Sequence, residues 1–268
     1  MYKHKHYYDY TSELSPDDIY EGLLAYGLFT DKLPPIFTSK PFFDYCKKNN
    51  PTFSKTPSDY IYYESIRNIN IPRQFGIPNP MAYHYLCKYI SDVWPSLQQY
   101  FKEQTEGQEY IISRIHIRRM KETPALFVMN YKNWRTDGTP EPDLLLGNKY
   151  LVNADISNCF QSMYSHALSW ALASKDEAKQ KKREDDQWYN KLDFYTRNIR
   201  NGETHGFIIG PHASNLLSEI ILTKIDQIMY EKGWRYVRNI DDYTCYVPTY
   251  VDGITLKQYL ISHLFTPT

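Results

Sequence analysis

Two β-prone runs rich in Tyr, Val, Ile and Thr flank the adjacent acids Asp241 and Asp242 along residues 236–247, Y-V-R-N-I-D-D-Y-T-C-Y-V. Tyr, Val, Ile and Thr suit a pleated, half-buried surface, so the run predicts a β-hairpin with two carboxylates at its tip. Upstream, the apolar-leaning run from Leu151 predicts a strand ending in Asp155, followed by a helix-like segment with Met163, Ala167 and Trp170. Elsewhere the period is that of a helix. Residues 15–29 carry a cap serine, Ser15, then Pro16 and the acids Asp17 and Asp18, ahead of an apolar face. Residues 213–230 place Leu216, Leu217, Ile220, Ile221 and Ile225 on one core-facing stripe. A short strand and turn is expected to enter a helix at Pro80, residues 192–200 to be helical, and residues 253–264 to form a last amphipathic helix offering Ile254, Leu256, Leu260, Ile261 and Leu264 for burial. Between residues 109 and 134 apolar and basic residues alternate as on a hairpin strand, so that Arg114, His116, Arg118 and Lys121 share a face or its edge. Residues 41–63, interrupted by Pro51 and Pro57, are expected to be loops with short helices, and residues 137–148 a loop. The mixed charges of residues 171–188 predict an exposed segment without a catalytic role.

The chain has 268 residues, enough for one large domain or two small ones, and its 42% hydrophobic content can bury a real core. Basic and acidic residues number 31 each, so any contact with nucleic acid must rely on local patches. Cys46, Cys87, Cys159 and Cys245 lie far apart and form no Cys-x-x-Cys pair, which points away from zinc and from a disulfide framework. The N-terminus lacks a signal peptide's apolar core and no run is long enough to span a bilayer, so a soluble cytoplasmic protein without a membrane partner is expected. Tyrosine, at 26 residues, suits both sheet packing and base stacking.

Acids are common in turns, where they bond to nearby backbone, and Asp241 and Asp242 taken alone fit that role. With Asp155 added, two strands each ending in acid would converge their charges, and a divalent cation is the economical explanation. Hard carboxylate oxygens favour Mg2+, or Mn2+, over zinc.

Asp155 followed by Phe160, then G-F-I-I-G-P-H-A-S over residues 206–214, then the Asp-Asp hairpin, resembles motifs A, B and C of a reverse transcriptase palm in their usual order. With R-Q-F-G-I-P-N-P-M-A-Y over residues 73–83, S-M-Y-S-H-A-L-S-W-A over residues 162–171 and the segment 192–226, the chain resembles the bacterial abortive-infection and defence-associated reverse transcriptases over about residues 68–247. Asn239 departs from the pattern, which usually has an aromatic residue two before the first hairpin acid.

The resemblance implies an α/β (α+β) fold: fingers and palm of reverse-transcriptase type, with an antiparallel palm sheet backed by helices. It divides the chain into an N-terminal helical and loop extension over 1–67, fingers over 68–150, and a palm over 151–268 that stops before a thumb. It implies a DNA polymerase acting in antiphage defence by two-metal phosphoryl transfer of deoxynucleotides, untemplated and primed on a protein side chain, with DNA as product. Asp155, Asp241 and Asp242 would be catalytic, and Asp155, Asp241 and the Ile156 carbonyl would be metal ligands. Phe160 would lie under the 2′ position of the nucleotide, Arg73 would contact the triphosphate, and Gly206, Gly210 and Pro211 would line the site, where a missing side chain lets a substrate approach backbone. Arg114, Arg118 and Lys121 would contact nucleic acid. For Phe160 a core position, for Arg73 a solvated loop charge, and for the basic strand an ordinary wet face remain open. A conventional reverse transcriptase copying an RNA template, and an inactive palm serving as an assembly or nucleic-acid-binding module, are the alternatives. Because 248–268 leaves no room for a thumb, a fragment, a homo-oligomer or a chain completed by a partner subunit is expected, with the apolar face of the last helix as the interface.

Overall fold

The structure is a computed structural model that describes residues 5–30, 32–66, 72–114, 117–119, 125–126, 138–181 and 187–264. His116 and Lys121 lie outside the described residues. Among the described residues, two antiparallel sheets are held within a helical body. A hairpin of β1 (Tyr60–Ile66) and β2 (Pro72–Pro78) makes the first sheet. The second has the order β3-β5-β4, built from β3 (Tyr150–Asp155), β4 (Arg235–Asn239) and β5 (Asp242–Val247). This mixed architecture agrees with the α+β expectation.

Around the sheets run α1 (Tyr7–Ser12), α2 (Pro16–Leu24), α3 (Lys40–Asn49), α4 (Pro80–Asp92) and α5 (Trp94–Thr105), then the short α6 (Glu141–Leu145). After β3 come α7 (Cys159–Ser162), α8 (His166–Ala173), α9 (Lys175–Gln180), α10 (Trp188–Asn198) and α11 (His212–Glu231), with α12 (Tyr250–Leu264) after β5. Local chemistry sets several starts. Ser15 Oγ accepts from the Asp18 N–H while the Asp18 carboxylate accepts from the Ser15 N–H, and Asn79 caps α4 through the N–H groups of Met81 and Ala82.

Three expectations change. The stretch expected to be loops with short helices contains, besides the helix α3, most of the strand β1; β1 was hidden because it turns Ile61 and Tyr62 outward, 67% and 60% exposed. The loop over 137–148 holds α6. Of the stretch 109–134 expected to be a hairpin strand, most lies outside the described residues; residues 111–114 form no regular strand and run beside β4, with the Arg238 N–H on the Ile112 carbonyl at 2.9 Å and the Arg114 N–H on the Arg238 carbonyl at 2.7 Å.

One hydrophobic cluster runs from Tyr7 to Leu260, so α1 and α2 belong to the same core as the sheet. Trp94, fully buried, donates its indole N–H to the Leu14 carbonyl at 2.8 Å, tying α5 to the turn before α2. On α11 Leu216, Leu217 and Ile220 are buried, whereas Ile221 and Ile225 are half-buried at the core's edge. On α12 Leu256 and Leu260 are buried and Ile254 is 43% exposed, so it does not join the core. Among the described residues no helix is long and apolar enough to cross a membrane.

Candidate active site at the Asp241 hairpin

Asn239 and Asp242 pair in register, leaving Ile240 and Asp241 as the two residues of the turn. Two-residue hairpins favour turns with a positive φ, a conformation glycine adopts at no steric cost. Here the position is taken by Ile240 at φ 56°. A β-branched residue there is strained by about 1–3 kcal/mol and persists only where its surroundings hold it. They do so at two points: the Arg238 guanidinium donates to the Ile240 carbonyl at 2.9 Å, and the Ile156 N–H donates to the Asp241 carbonyl at 3.1 Å.

Asp155 stands directly opposite Asp242 across the β3-β5 ladder. Directly opposed residues project from the same face with Cβ atoms about 4.5–5.5 Å apart, and like charges in that relation repel. Both are exposed, whereas Asp241 is half-buried. Burial raises the Asp241 carboxyl above the usual range, the charges of Asp155 and Asp242 push it the same way, and its own backbone hydrogen bond and Arg73 pull it back. Arg73 on β2 is therefore within electrostatic reach of the hairpin, with its guanidinium 5.6 Å from the Phe75 ring centre.

Phe160 is 8% exposed and joins the main core, while its carbonyl accepts the Phe207 N–H at 2.6 Å. The Ile156 carbonyl already accepts the Cys159 N–H at 3.1 Å, which leaves it one lone pair. At Gly206 (φ 87°) a Cβ would lie 2.9 Å from the Gln161 carbonyl, and at Gly210 (φ 128°) 3.2 Å from the Gly76 carbonyl. The close approach these glycines permit is thus to the protein's own backbone rather than to open space for a substrate. Pro211 is buried and precedes α11. Arg114 and Arg118 do not form a shared basic face: Arg114 pairs with Glu141 at 2.8 Å and donates to the Gly138 carbonyl, whereas Arg118 lies 4.5 Å from the Tyr10 ring centre.

Beneath the hairpin lies a charge cluster that the strand and helix patterns did not reveal. Arg238, fully buried, is held by Asp226 at 2.5 Å and Glu219 at 3.1 Å, both from α11. The Tyr236 hydroxyl donates to Asp226 at 2.9 Å and the Tyr7 hydroxyl to Glu219 at 3.0 Å. Burial opposes the Arg238 charge, but the two carboxylates outweigh it and hold its pKa well above the ordinary value. The available signal was two acids seven residues apart, two helical turns, and so on one face of α11.

Among the described residues, no three His, Cys, Asp or Glu side chains are brought close enough together to hold a metal ion. No family model matches the chain, and no curated protein matches it.

Proposed function

We propose that this chain is a nucleotidyltransferase of the reverse-transcriptase type, a DNA polymerase of antiphage defence that joins deoxynucleotides without a nucleic-acid template. The observation that carries the reading is the opposition of Asp155 and Asp242 across β3 and β5, with Asp241 on a strained turn beside them and Arg73 within its electrostatic reach. Opposed carboxylates are costly to stability and make sense where a cation or a proton neutralises them.

The donor set fits Mg2+ or Mn2+ in its chemistry, since carboxylates and a carbonyl are hard oxygen ligands. Bound there, a pair of such ions would activate the attacking hydroxyl and neutralise charge on the leaving pyrophosphate. Asp155 and Asp241 would hold them, with the second lone pair of the Ile156 carbonyl as a further donor and Asp242 alongside. The Arg73 guanidinium, always protonated, would hold a triphosphate by charge-assisted hydrogen bonds. Arg238 would fix the hairpin so that the acids stay in position.

A second reading, a palm that serves as an assembly or nucleic-acid-binding module, is favoured by the filled space at Gly206 and Gly210. Incubating the purified protein with each deoxynucleotide and Mg2+, with and without primer and RNA template, separates the cases. Product linked to protein without added nucleic acid is the expected result. Product only with primer and template would indicate a conventional reverse transcriptase, and no product under any condition would favour the module.

A further inference from the structure

A cavity of about 640 Å³ opens between α8, α9 and α10 and shares no lining residue with the Asp241 hairpin. That volume lies within the range of about 300–1,000 Å³ usual for sites that take small molecules. Among the described residues its lining carries the cations Lys55, Lys175, Lys179, Lys191 and Arg197 together with His166, against a single acid, Asp193. Asp193 is 4% exposed and acts as an internal brace: its Oδ2 lies 2.7 Å from His166 Nδ1 and 3.2 Å from Arg197 Nε, fixing both side chains in the wall. Its other oxygen, Oδ1, is buried and has no hydrogen-bond partner among the described residues. Aromatic side chains share the lining with the cations, Lys175 Nζ lying 5.2 Å from the Trp170 ring centre. Tyr164, Trp170, Phe194 and Tyr195 line the cavity half-buried, and Phe53 is 38% exposed.

Flat apolar rings beside positive charge match a ligand that is itself flat and anionic: bases stack on aromatic side chains while phosphates meet Lys and Arg. We propose that this cavity binds a nucleobase carrying a phosphate, either a free mononucleotide or one unit of a single strand. The proposal does not rest on polymerase activity, and neither Asp155 nor Asp241 takes part.

The test is fluorescence anisotropy in EDTA, which removes any contribution from divalent cations, using a 5′-phosphorylated, fluorescein-labelled dT5 as probe. The wild-type chain should bind it with an affinity that falls as salt is raised. Trp170→Ala should weaken binding about tenfold, as expected for loss of one stacking partner. Lys179→Glu should weaken it to a similar degree, and because Lys179 is exposed this change leaves the core untouched if Trp170→Ala proves poorly folded. Competition by dTMP identifies a mononucleotide site; competition by unlabelled dT5 but not by dTMP identifies a strand site. Wild-type affinity in both variants, no binding by the wild-type chain, or equal displacement by inorganic phosphate or polyglutamate would overturn the proposal.

Discussion

Asp241 and His84 are titratable groups that burial shifts in opposite directions, each toward its neutral form. Asp241 is raised by burial and by its acidic neighbours, so the folded state holds its proton more tightly than the unfolded chain does. Stability from this group is present at low pH and is lost as pH rises from the ordinary carboxylate range through the raised value. At pH 7 the charged group is therefore a cost, and Asp241→Asn is expected to raise the melting temperature, with the gap to wild type closing when Mn2+ is added, because an ion bound by the native acids stabilises only the wild-type chain. A melting temperature below wild type without metal would contradict this. His84 is held down to about 4, first by burial and then by Lys88, and its Nδ1 meets the Tyr20 hydroxyl at 2.8 Å. The folded state keeps it neutral while the unfolded chain takes up a proton near 6.5, so its contribution is full above that pH and is lost as pH falls toward 4. Denaturant midpoints measured from pH 7 to pH 4 should fall less steeply for His84→Gln than for wild type.

Among the elements, those with locally written patterns were legible in the sequence. The β4-β5 hairpin, the β3 strand ending in Asp155, α2 and α11 all carry their period and end signals within a few residues. What was not legible depends on distant partners. Nothing near Arg238 announces that it is buried, because its carboxylates come from α11 and the carbonyl it holds belongs to the turn. The glycines at 206 and 210 were read as space for a substrate, and only the docking of β2 and α7 shows what fills it. The grouping of the three acids was thus legible in the sequence, and the buried cluster that supports their turn was not. Arg238→Met tests that support: it leaves Asp226 and Glu219 buried without their counter-charge and should cost about 3–5 kcal/mol in urea unfolding. A loss under about 1 kcal/mol would mean that the cluster is solvated in a way the structure does not show.

Across the whole molecule, the first helices are part of the machinery that holds the hairpin. Tyr7 on α1 donates to Glu219 on α11, which grips Arg238, which holds the Ile240 carbonyl. Tyr7→Phe removes one hydrogen bond to a charged group and should cost about 1.5–3 kcal/mol, measured by the same unfolding experiment. The arrangement accounts for how a strained turn persists and keeps Asp241 beside Asp155 and Asp242. The most direct measurement is incorporation of labelled deoxynucleotides in Mg2+ by the wild type, Asp155→Asn and Asp241→Asn, with folding checked by circular dichroism. Each substitution keeps side-chain volume nearly constant while removing a ligand charge, so incorporation should fall by a factor on the order of 100 or more in both folded variants. Wild-type incorporation by either one would show that these carboxylates do not carry the chemistry.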